Sequence, residues 1–169
     1  MENNSMNLSS LNILVIGDIM LDRYQVGDST KLSPEAPVPV VLIDQYFDRL
    51  GGAANVALNI QSLGVSASLC SLYAEDSAGL RISELLASNN ITSYLMPLHS
   101  TTTTKTRILS RAHHLLRIDN EAPVTSDIAS TFSSLPILPE LIESSDLVLL
   151  SDYNKGCLHY VEKIISICT

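Results

Sequence analysis

Apolar residues bunch at Leu11–Gly17, where Leu11, Ile13, Leu14, Val15 and Ile16 are interrupted only by Asn12 before a closing glycine. Such a run predicts a strand buried on both faces. Asp146–Ser151 repeats the signal with Leu147, Val148, Leu149 and Leu150. Between them the pattern changes character. Residues 24–50 carry Pro34, Pro37 and Pro39 and alternate in places, as at Val38, Val40 and Leu42, which predicts a small flap of edge strands. Ala53, Val56, Ala57, Ile60 and Gly64 then recur at helical spacing, so Gly51-Gly52 turns into a helix reaching about residue 63. A strand is expected at Ala67–Tyr73. Asp76 is the predicted N-cap of a helix through Ser88 that buries Ala78, Ile82, Leu85 and Leu86.

Further along, strands are expected at 93–98, 104–110 and 114–119, and helices at 125–133 and 137–144 around Pro136 and Pro139. The Thr101–Thr104 run reads as a β-prone linker. A last helix is expected over Leu158–Cys168, with Val161, Ile164, Ile165 and Cys168 on one side. This order predicts an α/β domain over 11–169, in which helices flank a largely parallel sheet, preceded by a disordered stretch at 1–10. A helix after a central strand normally crosses back to another parallel strand. The sequence stops at Thr169 instead, and a missing continuation is the simplest reading.

Composition narrows the function. With 46% hydrophobic and 17% charged residues, general disorder is excluded. A net charge of −8 argues against nucleic acid and against an anionic membrane surface. The three cysteines are odd in number and lack framework spacing, as expected of free thiols in a reducing compartment. Met1–Asn7 is unlike a signal peptide, and no apolar run approaches the length of a membrane span. A cytoplasmic location is expected.

Four places carry candidate chemistry. Gly51-Gly52 before a helix reads either as a plain junction or as a turn offering N–H groups to a ligand, with Asn55, Asn59 and Ser62 on a polar face. Asp18 and Asp22 follow the first strand, where ligands of open α/β sheets bind. Asp18 reads best as a turn or cap residue, and Asp22 is better placed to accept hydrogen bonds from sugar hydroxyls. Ser151–Gly156 holds the same position after the later strand, and its Asp152 and Lys155 suit either a phosphate-handling loop or an exposed turn. Lys105, Arg107 and Arg111 form the one basic cluster; alternation puts them on one face, either converging on an anion or merely solvated. His113-His114 and Cys157-Leu158-His159 are weak as metal sites, and none is expected.

Several of these segments resemble the ribokinase-like (PfkB) carbohydrate kinases. They are Val15–Tyr24, the Leu32–Val40 stretch with its Pro-Glu-Ala-Pro-Val-Pro-Val, Gly51–Ala57, Thr104–Arg107 with Leu109–Arg111, and Leu150–Tyr153 with Lys155-Gly156. The proline-rich flap is most similar to the kinase domain of the bifunctional heptose kinase/adenylyltransferases, and the resemblance runs from about Leu11 onward in the family's order. It implies a ribokinase-like fold in which 24–50 is a β lid that can also serve a homodimer. Asp22, Gly51, Gly52 and Asn55 would hold sugar hydroxyls, Lys105 and Arg107 would lie near a sugar phosphate, and Asp152 and Lys155 would border phosphoryl transfer. The implied reaction is ATP- and Mg2+-dependent phosphorylation of D-glycero-β-D-manno-heptose 7-phosphate at C1.

The sequence also departs from the family pattern. Ala74 stands where the longer glycine signature expects Gly, and Lys31 where close relatives carry Arg. The Gly-Ala-Gly-Asp motif that carries the family's catalytic Asp is absent, so no catalytic residue is expected in this chain. Nor is ATP expected to bind it well. The leading expectation is therefore the N-terminal, sugar-binding half of such a kinase, inactive alone. The alternatives are a sugar-phosphate-binding or lid-dimerisation module that complements a separate half, and a PfkB kinase for another sugar.

Overall fold

The computed structural model describes residues 10–97 and 100–168. The expected disordered stretch 1–10 lies outside them except for Ser10, and so does Leu98 at the end of the strand expected over 93–98. β1 (Asn12–Gly17), β4 (Ser66–Leu72), β5 (Thr92–Met96) and β8 (Leu147–Ser151) form an all-parallel sheet in the order β5-β4-β1-β8. β1 lies inside it, and Leu14, Val15 and Ile16 have no exposed surface. Consecutive apolar residues are required there because both faces are covered. Val15 and Leu69 pack toward α1 (Ala53–Ser62) and α2 (Ser77–Ser88) through Ala57, Ile60, Ile82 and Leu86. Leu14 and Ile16 pack the other way, against Phe132 of α3 (Ser126–Ser133), Leu138 of α4 (Ile137–Glu143) and Ile164 of α5 (Val161–Ile167).

Helix starts follow local chemistry. The Asp76 side chain accepts from the Gly79 N–H at 2.8 Å, the cap expected for α2. Pro136 precedes α4, and Pro139 falls in its first turn, where no intrahelical N–H is needed. α5 begins at Val161 rather than at the expected Leu158. The Cys157 N–H is given to Asp18, and tight turns at His159 N–H to Gly156 O and Val161 N–H to Leu158 O hold residues 157–160 instead.

The second sheet has the order β3-β2-β6-β7. β2 (Ile19–Leu32) and β3 (Pro39–Gly52) make a long antiparallel hairpin, with Pro34 and Pro37 in its tip and Pro39 opening an edge strand. β6 (Thr104–Ser110) pairs parallel to β2, and β7 (His113–Asn120) antiparallel to β6. The flap read over 24–50 is thus one half of a four-stranded sheet whose other half comes from 104–120. The Thr101–Thr104 run, read as a simple linker, is a buried crossing between the two sheets. Thr102, Thr103 and Thr104 are at most 8% exposed. The Thr102 hydroxyl accepts from Ala74 N–H, its own N–H donates to Asp76, and Thr103 O accepts from Leu21 N–H. Threonine hydroxyls can face either water or the backbone; here that of Thr102 bonds the backbone of residue 74, and that of Thr104 donates to Thr102 O.

Candidate functional site

The site grows from the end of β1. Gly17 lies against the Ser151 carbonyl so closely that any Cβ would strike it. Asp18 follows, 2% exposed, and its carboxylate accepts three backbone N–H groups, from Tyr153, Lys155 and Cys157, each at 2.9 Å. Its own N–H donates to Ser151 O and its carbonyl accepts from Ala53 N–H. One residue therefore fastens the end of β1 to the loop after β8 and to the start of α1. The turn or cap reading of Asp18 matches its geometry, although the segment it caps lies more than a hundred residues away in the chain. Gly52 sits against the same Asp18 carbonyl with φ +58°, a conformation and an approach that only glycine tolerates well.

Asp22 is placed by β2, between the two arginine-bearing strands. Its cross-strand partners are Arg49 of β3 and Lys105 of β6. Asp22 Oδ1 accepts from the Arg107 guanidinium at 2.6 Å, and Oδ2 lies over Gly51, where an added Cβ would come within 2.8 Å. The bare backbone at Gly51 is what lets the carboxylate settle there. Partial burial alone would lower the Arg107 pKa, but the Asp22 hydrogen bond and charge, helped by Tyr24 and Asp119, raise it above its ordinary value. Asn55, on the exposed face of α1, lines the same cleft of about 530 Å³ as Asp22, Tyr24 and Arg49. Tyr24 and Phe47 stack at 4.7 Å between ring centres; Arg107 sits over Tyr24 and Arg49 over both rings, at 5.2–5.3 Å.

The expected site residues fall into two groups. Asp22 and Asn55 line the cleft, Gly51 and Arg107 adjoin the Asp22 carboxylate, and Gly52 stands at the helix start. Lys105 shares β6 with Arg107 but pairs with Asp119 at 3.0 Å, whose carboxyl is held below its usual range by Lys105 and Arg117. Arg111 does not join them: it lies in the turn after β6 at φ +54° and pairs with Asp28.

Asp152 and Lys155 lie on the other side of Asp18. The Asp152 side chain accepts from Asn154 N–H, and the Lys155 ammonium pairs with Glu121 at 2.8 Å. Behind this loop Cys157 Sγ accepts from Leu72 N–H at 3.3 Å, and burial, aided by the Asp18 charge, pushes its thiol pKa up. Among the described residues no three His, Cys, Asp or Glu side chains converge as metal ligands, and no helix is long and apolar enough to cross a membrane. Sequence reasoning missed Arg49, Tyr24 and Phe47. The available signal was alternation: Tyr24 lies two residues from Asp22, and Phe47 two from Arg49, so each pair shares a strand face.

Comparison with known proteins places the chain in a family. Residues 10–168 match the model of the pfkB family carbohydrate kinases. The chain is 44% identical over 167 residues to the bifunctional protein HldE of Actinobacillus pleuropneumoniae serotype 5b, covering 96% of this chain and 34% of that protein. It is 45% identical over 159 residues to the HldE of Pasteurella multocida, covering 92% and 32%. The chain thus spans about a third of the length of these relatives. A carbohydrate kinase from Agrobacterium tumefaciens superposes with a TM-score of 0.71 at 21% identity, over 94% of this chain and 51% of that one. The Escherichia coli phosphofructokinase-2 in complex with fructose-6-phosphate gives 0.65 at 18%, over 94% and 51%. The chain belongs to the pfkB family of carbohydrate kinases and has its ribokinase-like fold.

Proposed function

We propose that this pfkB family chain supplies the sugar-binding half of an ATP-dependent kinase that phosphorylates D-glycero-β-D-manno-heptose 7-phosphate at C1. The carrying observation is the cleft between the second sheet and α1 that Asp22 and Asn55 line, with Gly51 packed bare against the Asp22 carboxylate. A partly exposed carboxylate beside a bare glycine backbone suits the hydroxyl groups of a sugar. Likeness to the HldE proteins over nearly the whole chain favours a heptose over other sugars. Asp22 would accept from sugar hydroxyls, Asn55 would donate or accept at the cleft mouth, and Arg107 would hold the Asp22 carboxylate in place. The Asp152–Lys155 loop, held by Asp18, would border the transferred phosphoryl group.

These residues do not by themselves make a site for ATP with Mg2+. Asp152 is turned back onto Asn154, Lys155 is engaged by Glu121, and the sequence has no Gly-Ala-Gly-Asp. Loss of a general base costs roughly 10²–10⁴-fold in rate, so turnover by this chain alone is not expected. Calorimetric titration with heptose 7-phosphate in the absence of nucleotide tests the reading. Saturable binding that Asp22→Ala abolishes supports it, and no binding by the folded chain overturns it. An ATP-dependent assay of the same chain should show no C1 phosphorylation, and turnover like that of an intact kinase would refute the assignment of catalysis to other residues. The second reading, a pairing module, is favoured by the exposed apolar face of the second sheet, where Tyr46, Leu116 and Ile118 are 69%, 54% and 49% exposed. A concentration-dependent dimer that Ile118→Lys dissolves would support it.

A further inference from the structure

We infer that Arg49 is the residue that binds the anionic substituent of the sugar, and that it makes the cleft selective for a phosphorylated sugar. The inference rests on the sugar-site reading above and assigns a role to a residue outside the set expected from sequence. Arg107 and Lys105, the cations expected near the phosphate, are already neutralised, by Asp22 at 2.6 Å and by Asp119 at 3.0 Å. An anion binding to either would have to displace a carboxylate held on a neighbouring strand. Arg49 is different. It lines the cleft beside Asp22 and Asn55, and it is exposed. Among the described residues no carboxylate pairs with it: Asp22, opposite it on β2, is held by Arg107, and its chain neighbour Asp48 by Arg23 at 2.9 Å.

Its guanidinium is nevertheless not loose. It lies 5.3 Å from the Tyr24 ring centre and 5.2 Å from that of Phe47, over a stacked pair. These contacts hold the guanidinium at the cleft without neutralising its charge, and a guanidinium so placed suits two-point recognition of a phosphate. The other cations without a carboxylate partner lie elsewhere: Lys31 near the tip of the hairpin and Lys163 over Tyr160 on α5. Asp22 and Asn55 then read hydroxyl groups, while Arg49, beside Asp22 on the neighbouring strand, reads the phosphate.

Calorimetry with heptose 7-phosphate and with unphosphorylated heptose, on the wild-type chain and on Arg49→Gln and Arg49→Lys, separates the possibilities. The wild type should prefer the phosphorylated sugar. Arg49→Gln should weaken that ligand roughly 10- to 100-fold, the range of a lost charged hydrogen-bond pair, and leave the unphosphorylated heptose unchanged. Arg49→Lys should recover part of the loss, because charge returns without the fork. An equal loss for both sugars, or no loss for either, overturns the inference and leaves the sugar site standing. Wild-type binding of neither sugar overturns both. Unchanged far-UV circular dichroism of the two variants rules out misfolding as the cause of a selective loss, since Arg49 is exposed and unpaired.

Discussion

The two sheets are built on opposite terms. In the parallel sheet, β1 buries Leu14, Val15 and Ile16 completely, and helices cover both faces. In the second sheet all eight residues of β7 are exposed, and the strands are cross-linked by ion pairs such as Arg23–Asp48, Lys105–Asp119 and Arg107–Asp22. Burial of apolar surface stabilises far more than partly exposed ion pairs do. The first sheet therefore carries the stability, and the second carries the proposed recognition. The residues that join them, Asp18 and Thr102–Thr104, are polar yet buried.

The sharpest way to break this comparison is a matched pair of truncations. Leu14→Ala should cost about 2–5 kcal/mol, as large-to-small changes in a filled core do. Ile118→Ala, on the open face of β7, should stay within about 0.5 kcal/mol. Urea unfolding followed by far-UV circular dichroism measures both, since the chain has no tryptophan. Equal costs would mean that the second sheet has a packed face after all.

Next in size is Asp18→Ala. It leaves three backbone N–H groups without their acceptor in a buried place, at about 1–3 kcal/mol for each abandoned donor, so a loss of at least about 3 kcal/mol is expected. Asp22→Ala, by contrast, removes one ion pair whose side chains are about a fifth exposed, and should cost no more than about 1 kcal/mol. Its effect should appear in sugar binding instead. Two aspartates four residues apart would then separate by assay, one in unfolding and the other in titration. Similar unfolding curves for the two variants would remove the distinction between seam and site.

Legibility in sequence follows the same division. β1 and β8 were readable as apolar runs, and the Asp76 cap was readable because capping is local. The membership of β6 and β7 in the sheet of the hairpin was not, because amphipathic strands carry no mark of which neighbour they pair with. The ion pairs were hidden for the same reason: Asp22 and Arg107 are 85 residues apart and meet only through the β2–β6 register. The cluster at Lys105 and Arg107 looked like free positive charge, and register turned it into paired charge. Arg49 passed unnoticed beside the glycines because its importance lies in what fails to pair with it.

The smallest effect tests the hinge between the sheets. Asp76 caps α2 through Gly79 and also accepts from Thr102 N–H, the first residue of the buried crossing. Partial burial alone would raise its pKa, but the N–H groups of Thr102, Gly79 and Ala78 outweigh this and hold it below the ordinary value near 3.8. A carboxyl depressed in the folded state contributes stability that is present above the unfolded value and is lost as pH falls through the folded one. Asp76→Asn keeps a good capping oxygen for Gly79 but turns an amide donor, or a weaker acceptor, toward Thr102. It should therefore cost about 1 kcal/mol at pH 7, and the deficit should shrink as the pH falls below about 4 and on through the depressed value of the folded wild-type carboxyl. Unfolding free energies measured from pH 7 to about pH 2.5 would show the two curves converging. A constant gap across that range would mean that the crossing is held by the threonine hydroxyls and that the charge of Asp76 is irrelevant to how the second sheet is hung from the first.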